Sequence, residues 1–99
     1  MATDTSVMGA VRRKCNVSWD DQDTSARLED VVEKVSSRLA PLLGFESHHA
    51  FSSSDGQSWG LFLDGCLYEF SDAWDDFTEN YAREIQSVRM YNMAVSADA

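Results

Sequence analysis

The sequence lacks the long apolar runs and clustered cysteines that mark several classes of protein. Its apolar runs are short, Leu61–Leu63 for example, whereas a membrane-spanning helix needs ~18–20 apolar residues. Residues 1–10 show no basic segment followed by an apolar core, so no secretory signal is predicted. The two cysteines, Cys15 and Cys66, do not have the spacing of zinc ligands, which indicates buried thiols in a reducing compartment.

Positive charge is also scarce. The 99 residues hold 17 Asp+Glu against 8 Lys+Arg, for a net charge of −9. Residues 16–80 contain fourteen acids and three basic residues, a local charge of −11. Because phosphate binding needs positively charged side chains, binding of duplex nucleic acid by this segment is excluded. With 43% hydrophobic and 11% aromatic residues, the chain is one small acidic domain and not a disordered tail.

Three of the basic residues are consecutive: Arg12, Arg13 and Lys14. They end a short amphipathic helix predicted over about 6–14 from Met8, Val11 and Cys15. This basic end either contacts a phosphate or an acidic neighbour, or is simply solvated.

A second helix is predicted after the acidic segment Trp19–Ser25, whose short polar side chains suit a helix N-terminus. Its apolar stripe runs from Leu28 to Leu43. Because Pro41 lacks a backbone donor and Gly44 suits a C-terminal cap, the helix either ends near Ala40 or kinks through one more turn. Residues 45–57 are predicted to form a surface loop.

The pattern over 58–70 fits two structures. Alternating Trp59, Leu61 and Leu63 before Asp64-Gly65 indicates a β-hairpin, yet the same stretch also carries a complete helical stripe. Gly60 and Gly65 favour the hairpin, since each costs about 1 kcal/mol inside a helix. A final helix is predicted to follow a cap at Ser71 or Asp72 and to continue to about Met90.

Two segments resemble the small head-tail connector proteins of long-tailed bacteriophages. Residues 17–33, VSWDDQDTSARLEDVVE, are similar to that family's opening T-W-D-D-x-D-T-x-x-R-L-x-x-I-I-E. Residues 61–90 are similar to its closing L-L-L-x-Y-C-R-Y-x-x-x-x-A-x-x-E-F-x-x-N-Y-x-x-E-I-x-x-L-R. Gly65, Glu69 and the 45–57 loop depart from the family pattern.

The resemblance implies an all-α fold, a small bundle of about three to four helices with a long loop at about 45–57. It makes 58–70 a helix in one domain, 1–99, with flexible tails at 1–5 and 92–99. It also implies a non-enzymatic assembly protein of the virion, made in the host cytoplasm. Copies would form a ring, twelvefold by analogy, on the portal protein, and offer a platform to the next connector or tail-completion protein.

The same resemblance assigns a portal-binding site to the end of the last helix, comprising Arg89, Met90, Tyr91, Asn92 and Met93. The alternative is that Tyr91 and Met93 continue the core stripe or fray.

A ring around a DNA conduit would carry an acidic wall that repels the passing genome over a Debye length of ~8–10 Å. The candidate residues are Asp20, Asp21, Asp23, Asp75, Asp76 and Glu79. The alternative role of these acids is to match the positive ends of helix dipoles.

Neither a catalytic motif nor a cofactor motif is present. His48-His49 fits solvated loop histidines better than a metal site, and the acid pairs lack the pattern of a calcium loop. A nucleophile set of a cysteine with His48 has nothing in the sequence to bring it together. We predict a protein without enzymatic activity or cofactor. The alternative function is an acidic DNA mimic that inhibits a host nuclease or a CRISPR or restriction defence.

Overall fold

A computed structural model describes residues 5–17, 22–47 and 49–98 of the chain. Within these ranges there are five α-helices and no strand. The helices are α1 (Thr5–Lys14), α2 (Gln22–Leu42), α3 (Gln57–Phe70), α4 (Trp74–Asn80) and α5 (Ala82–Asp98), with a single 3-10 turn at Ser53–Asp55. The predicted all-α class is confirmed, with more helices than the three to four expected.

Helix α2 follows the predicted apolar stripe and passes through Pro41 to Leu42. Gly44 follows this end of the helix, and its φ of 85° is a left-handed conformation that glycine adopts at little cost. The Phe45 amide donates to the Ala40 carbonyl at 2.9 Å and the Gly44 amide donates to the Pro41 carbonyl, which is the Schellman pattern of helix termination. The acidic segment predicted to cap α2 lies largely at 18–21, outside the described residues.

Residues 58–70 belong to α3, so the hairpin favoured by glycine propensity is wrong. Gly65 is buried where α3 crosses α2 and α4. A Cβ at this position would lie 3.2 Å from Val35 Cγ1 and 3.3 Å from Trp74 Cζ3. The glycine therefore allows close helix packing, and burial of Leu61, Phe62 and Cys66 outweighs its low propensity.

The single final helix predicted from the sequence is divided at Tyr81 into α4 and α5. Tyr81 has φ −106° and ψ 13°, a local bend that keeps both Phe77 and Ile85 in the core. The predicted cap is also wrong, because α4 begins after Ala73 without a side-chain cap and Asp72 has φ 58°. Helix α5 continues to Asp98, so residues 92–98, predicted as a tail, are helical.

Helix α3 lies at the centre of the fold and contacts the other four helices and the 3-10 turn. Every α-helix but α5 contributes apolar side chains that are fully buried, and Leu43 adds one from just beyond α2: Val11, Leu28, Val35, Leu39, Ala40, Leu43, Phe62, Cys66 and Phe77. The 45–57 loop is confirmed as largely non-helical, but it is anchored at Phe51, which is only 3% exposed. None of the described helices is long and apolar enough to cross a bilayer.

Candidate functional site

The basic end of α1 makes contacts within the molecule. Lys14 Nζ lies 2.6 Å from Asp64 Oδ1 on α3, and Arg12 donates to the Ser25 hydroxyl on α2 at 2.5 Å. Arg13 is exposed. Lys14 therefore contacts an acidic neighbour, which was one of the roles left open for this basic end, and that neighbour is Asp64 of the same chain.

Two arginines of α2 contact residues 69–74, and the first of them, Arg27, connects the two segments that resemble connector proteins. Arg27 donates to the Phe70 carbonyl at 2.6 Å and its guanidinium lies 4.3 Å from the centre of the Phe70 ring. Arg38 contacts Glu69 Oε1 at 2.8 Å and lies 5.5 Å from the Trp74 ring centre. These contacts hold the C-terminal end of α3 and the start of α4 against α2. Sequence periodicity missed them because both arginines lie outside the apolar stripe.

The acidic residues proposed to face DNA lie on α2, on α4 and in the segment 18–21. Asp75 and Asp76 are exposed in the first turn of α4, and Glu79 is exposed one turn later. Asp23 is exposed in the first turn of α2, and no backbone contact joins α2 to α4 in the described ranges. Asp20 and Asp21 lie outside those ranges. The observed first-turn positions fit the helix-dipole role.

A shallow cleft of about 370 Å³ lies between the end of α3 and the start of α4. Four carboxylates and one arginine line it: Glu69, Asp72, Asp75, Asp76 and Arg38. Arg38 is already paired with Glu69, so the uncompensated charge of the cleft is negative. The described residues contain no cluster of three or more His, Cys, Asp or Glu side chains arranged to hold a metal ion.

The five residues assigned to portal binding have two different environments. Arg89 Nη1 donates to the Pro41 carbonyl and Asn92 Nδ2 donates to the Leu43 carbonyl, each at 2.8 Å. Both bonds reach carbonyl groups at the C-terminal end of α2: the Pro41 carbonyl also accepts from the Gly44 amide at 3.3 Å, and the Leu43 carbonyl directly follows the last helical residue. Met90, Tyr91 and Met93 are instead 64%, 68% and 51% exposed. The structure therefore separates an anchoring pair from an exposed apolar set.

The exposed apolar set is concentrated at one end of the molecule. The large hydrophobic side chains that are exposed in the described part of the chain are Leu42, Met90, Tyr91, Met93 and Val95. Four of them lie on the distal half of α5, and Leu42 is in the last turn of α2, to which that half is bonded. An apolar surface of this kind is typical of a protein contact site.

The 45–57 loop is held by a stack of aromatic rings. His49 stacks on Phe45 with ring centres 3.9 Å apart, and Phe51 stacks on Phe62 of the core at 5.0 Å. His49 Nε2 lies 3.1 Å from Asp55 Oδ2, and the same oxygen accepts from the Ser52 amide. His49 is thus partly buried and bonded, unlike the solvated histidine predicted, while His48 lies outside the described residues.

The hydroxyl groups and the imidazole of this loop are bonded to different partners. The hydroxyls of Ser52 and Ser54 bond to each other at 2.7 Å, and His49 is bonded to Asp55 through Nε2. Both cysteines are buried and free, as predicted, and the Cys15 thiol points at the Cys66 carbonyl, 3.9 Å away. Burial raises the pKa of both thiols, which lowers the fraction of reactive thiolate.

A groove of about 690 Å³ separates this loop from α5. Its loop side includes Phe45 and Asp55, its floor includes Ser58 at the start of α3, and its α5 side includes Val88 and Tyr91. Ser58 is 2% exposed, and its hydroxyl lies 3.5 Å from Asn92 Nδ2. The groove therefore borders the exposed apolar set on one side.

No protein-family model, curated protein or solved structure matches the chain. The resemblance to connector proteins rests on the two sequence segments alone.

Proposed function

We propose that the protein is a head-tail connector of a tailed bacteriophage. Copies form a ring on the portal vertex after DNA packaging and provide the platform for the next connector or tail-completion protein. The observation that carries the proposal is the exposure of Met90, Tyr91 and Met93 at the positions that the connector resemblance assigns to portal contact. Large apolar side chains at this exposure favour burial against a partner.

Within this function the two groups of α5 residues have different roles. Arg89 and Asn92 orient the helix through their bonds to the end of α2. Met90, Tyr91 and Met93 supply the surface that contacts the portal protein. Tyrosine and methionine suit such a contact because both are enriched at the buried centres of protein interfaces.

The acidic surface has a second role in the proposed ring. Asp75, Asp76 and Glu79 are exposed on α4, and repetition of the subunit multiplies their charge around the DNA conduit. A channel that passes the genome must not bind phosphate, and fixed negative charge repels it. The same repulsive role is proposed for Asp20, Asp21 and Asp23. The protein acts in the virion and in the host cytoplasm during assembly, without a cofactor.

The portal protein encoded in the same genome provides the test. We expect purified connector to bind that portal as a ring visible by electron microscopy. The double variant Met90→Glu/Met93→Glu should lose binding, because charged residues replace buried apolar ones. Ala26→Glu is the matched control, since it adds a charge at an exposed position of α2, and it should bind normally. Absence of portal binding together with inhibition of a host nuclease would replace this proposal by the DNA-mimic alternative.

Charge reversal tests the acidic wall separately. Asp75→Lys/Asp76→Lys/Glu79→Lys should slow DNA passage and increase DNA binding by assembled rings, in a manner that added salt reverses. Unchanged packaging, DNA retention and ejection in phage carrying these substitutions would exclude a repulsive role for α4.

A further inference from the structure

The two cysteines of the chain meet where α1 packs against α3. The Cys15 amide donates to the Val11 carbonyl at 2.9 Å, so Cys15 continues the last turn of α1. Its side chain lies on the same face as buried Val7 and Val11, at i, i+4 and i+8. Cys66 is fully buried in α3. The Cys15 sulfur lies 3.9 Å from the carbonyl oxygen of Cys66, beside a residue that is 51 positions away in the sequence.

This contact is of the kind that a disulfide requires. A disulfide joins residues whose Cα atoms are no more than about 7 Å apart. Packed helices have axes about 8–10 Å apart and carry Cα atoms about 2.3 Å from each axis, so facing Cα atoms lie within about 6 Å of each other. The bond from the Cys15 thiol to the Cys66 carbonyl places these residues opposite each other at the α1–α3 contact. Both are free, and the chain has no other cysteine to compete.

Access to the two thiols requires α1 to move away from α3. Among the described elements, α1 contacts α2 and α3. Its fully or nearly fully buried face comprises Val7, Val11 and Cys15, and the Lys14–Asp64 ion pair adds one polar contact. A helix held by so few buried side chains separates locally at a lower free energy than the whole fold unfolds. In that open state the Cys15 thiol reaches solvent, and Cys66 loses the cover of α1.

We propose that Cys15 and Cys66 form a reversible disulfide that joins α1 to α3 under oxidising conditions. The oxidant is a low-molecular-weight disulfide, for example oxidised glutathione. The Cys15 thiolate attacks one sulfur of oxidised glutathione, the S–S bond of glutathione breaks, and one glutathione thiolate leaves. The Cys66 thiolate then attacks the Cys15 sulfur of the mixed disulfide, and the second glutathione thiolate leaves. The two cysteines give up two electrons and two protons, and two molecules of reduced glutathione carry them.

The disulfide would make the attachment of α1 depend on redox conditions. A cross-link between residues 51 apart restricts the unfolded chain and so stabilises the folded one. It also prevents α1 from leaving α3, whereas the reduced chain retains that local opening. The proposal concerns α1 and α3 and does not rest on the connector function, whose contact site lies on α5.

Equilibration of the full chain in buffers of oxidised and reduced glutathione, followed by acid quenching, alkylation and mass spectrometry, tests the cross-link. In the more oxidising buffers we expect an intact mass lower by two hydrogen atoms and the loss of both alkylatable thiols. Digestion should give one pair of peptides joined through Cys15 and Cys66. The thermal midpoint of the oxidised chain should be about 10 °C or more above that of the reduced chain, and a reductant should abolish the difference.

The matched control is Arg13→Cys/Cys15→Ala, which keeps two cysteines and moves the α1 thiol to an exposed position. It should acquire glutathione at position 13 and form no internal disulfide, and circular dichroism verifies that its helices are retained. Two free thiols in the unaltered chain under oxidising conditions would overturn the proposal. Glutathione adducts alone, disulfides only between chains, or an equal yield of internal disulfide in the control would also overturn it. Failure of portal binding concerns the connector function and leaves this result unaffected.

Discussion

Gly65 of α3 lies directly against Val35 of α2 where the two helices pack in the core. A Cβ on Gly65 would lie 3.2 Å from Val35 Cγ1, and it would also meet the rings of Trp74 and Phe77 at 3.3 and 3.4 Å. Gly60 on the same helix has no such neighbour within 4 Å. The two glycines of α3 therefore offer a direct comparison between packing and helix propensity.

Gly65→Ala should destabilise the fold by about 1 kcal/mol, because overpacking of the buried crossing exceeds the gain in helix propensity. Gly60→Ala should stabilise it by about 0.5–1 kcal/mol, since only the propensity gain applies there. Urea denaturation followed by circular dichroism measures both. Equal stabilisation by the two substitutions would show that the α2–α3 crossing has room for a methyl group.

The bonds from α5 to the end of α2 should contribute measurable stability. Asn92→Ala removes a partly buried donor from the Leu43 carbonyl and should cost about 1–2 kcal/mol. Arg89→Ala removes an exposed donor from the Pro41 carbonyl and should cost about 0.5–1 kcal/mol. Arg83→Ala changes an exposed residue of the same helix, and its unfolding midpoint in urea should stay close to that of the unaltered chain.

Phe51 should account for much of the order of the 45–57 loop. The Phe51→Ala substitution leaves a cavity beside Phe62 and removes the ring on which Phe45 packs edge-on, so we expect a loss of about 3 kcal/mol. Hydrogen exchange at Ser52–Asp55 should also become faster. Ser53→Ala, at an exposed position of the same loop, should change neither quantity.

Alkaline pH should destabilise the protein through its cysteines. Burial raises the pKa of Cys15 and Cys66 above the ordinary value of 9.0, so the unfolded chain loses these protons first. Stability linked to the neutral thiols is complete below about pH 9 and decreases as pH rises above that value. Burial, with the carboxylate of Asp64 as a further cause, raises the pKa of Tyr81, and this acts in the same direction.

Urea titrations between about pH 7 and 10 measure this dependence. Cys15→Ala/Cys66→Ala should show a smaller loss of unfolding free energy over that range. An unchanged slope in the double variant would assign the alkaline effect to other groups. A thiol reagent at neutral pH should modify the native protein slowly and the unfolded protein at once.

Local signals predicted the bounds of α1 and the glycine cap of α2 at Gly44, because capping residues and apolar stripes act within a single helix, whereas the all-α class came from the resemblance. Periodicity and propensity did not separate helix from hairpin at 58–70. Whether this segment forms a helix or a hairpin depends on the packing of Gly65 against Val35, and these two residues are distant in sequence. The break at Tyr81 was missed for a related reason, since the apolar spacing continues unchanged through it.

Candidate site residues were predicted less completely. The resemblance identified a segment that contains the exposed Met90, Tyr91 and Met93. It could not separate them from Arg89 and Asn92, whose partners are the carbonyls of Pro41 and Leu43. Every residue has a backbone carbonyl, so the sequence does not indicate which carbonyls accept a side-chain hydrogen bond. Leu42 was missed because it belongs to the apolar stripe that predicts burial, and Val95 because it lies in the segment 92–99 that was predicted to be a tail.

The bonds that fix α5 span 48 and 49 residues of the chain. Closing so long a loop costs entropy that contacts within single helices do not incur, so these bonds form only when α2 and α5 have both been made and brought together. During synthesis, a chain that has not reached Arg89 has neither of these two bonds, and one that has not reached Asn92 lacks the second. The correctly oriented apolar end is therefore a property of the finished molecule, and incomplete chains do not present it to a partner.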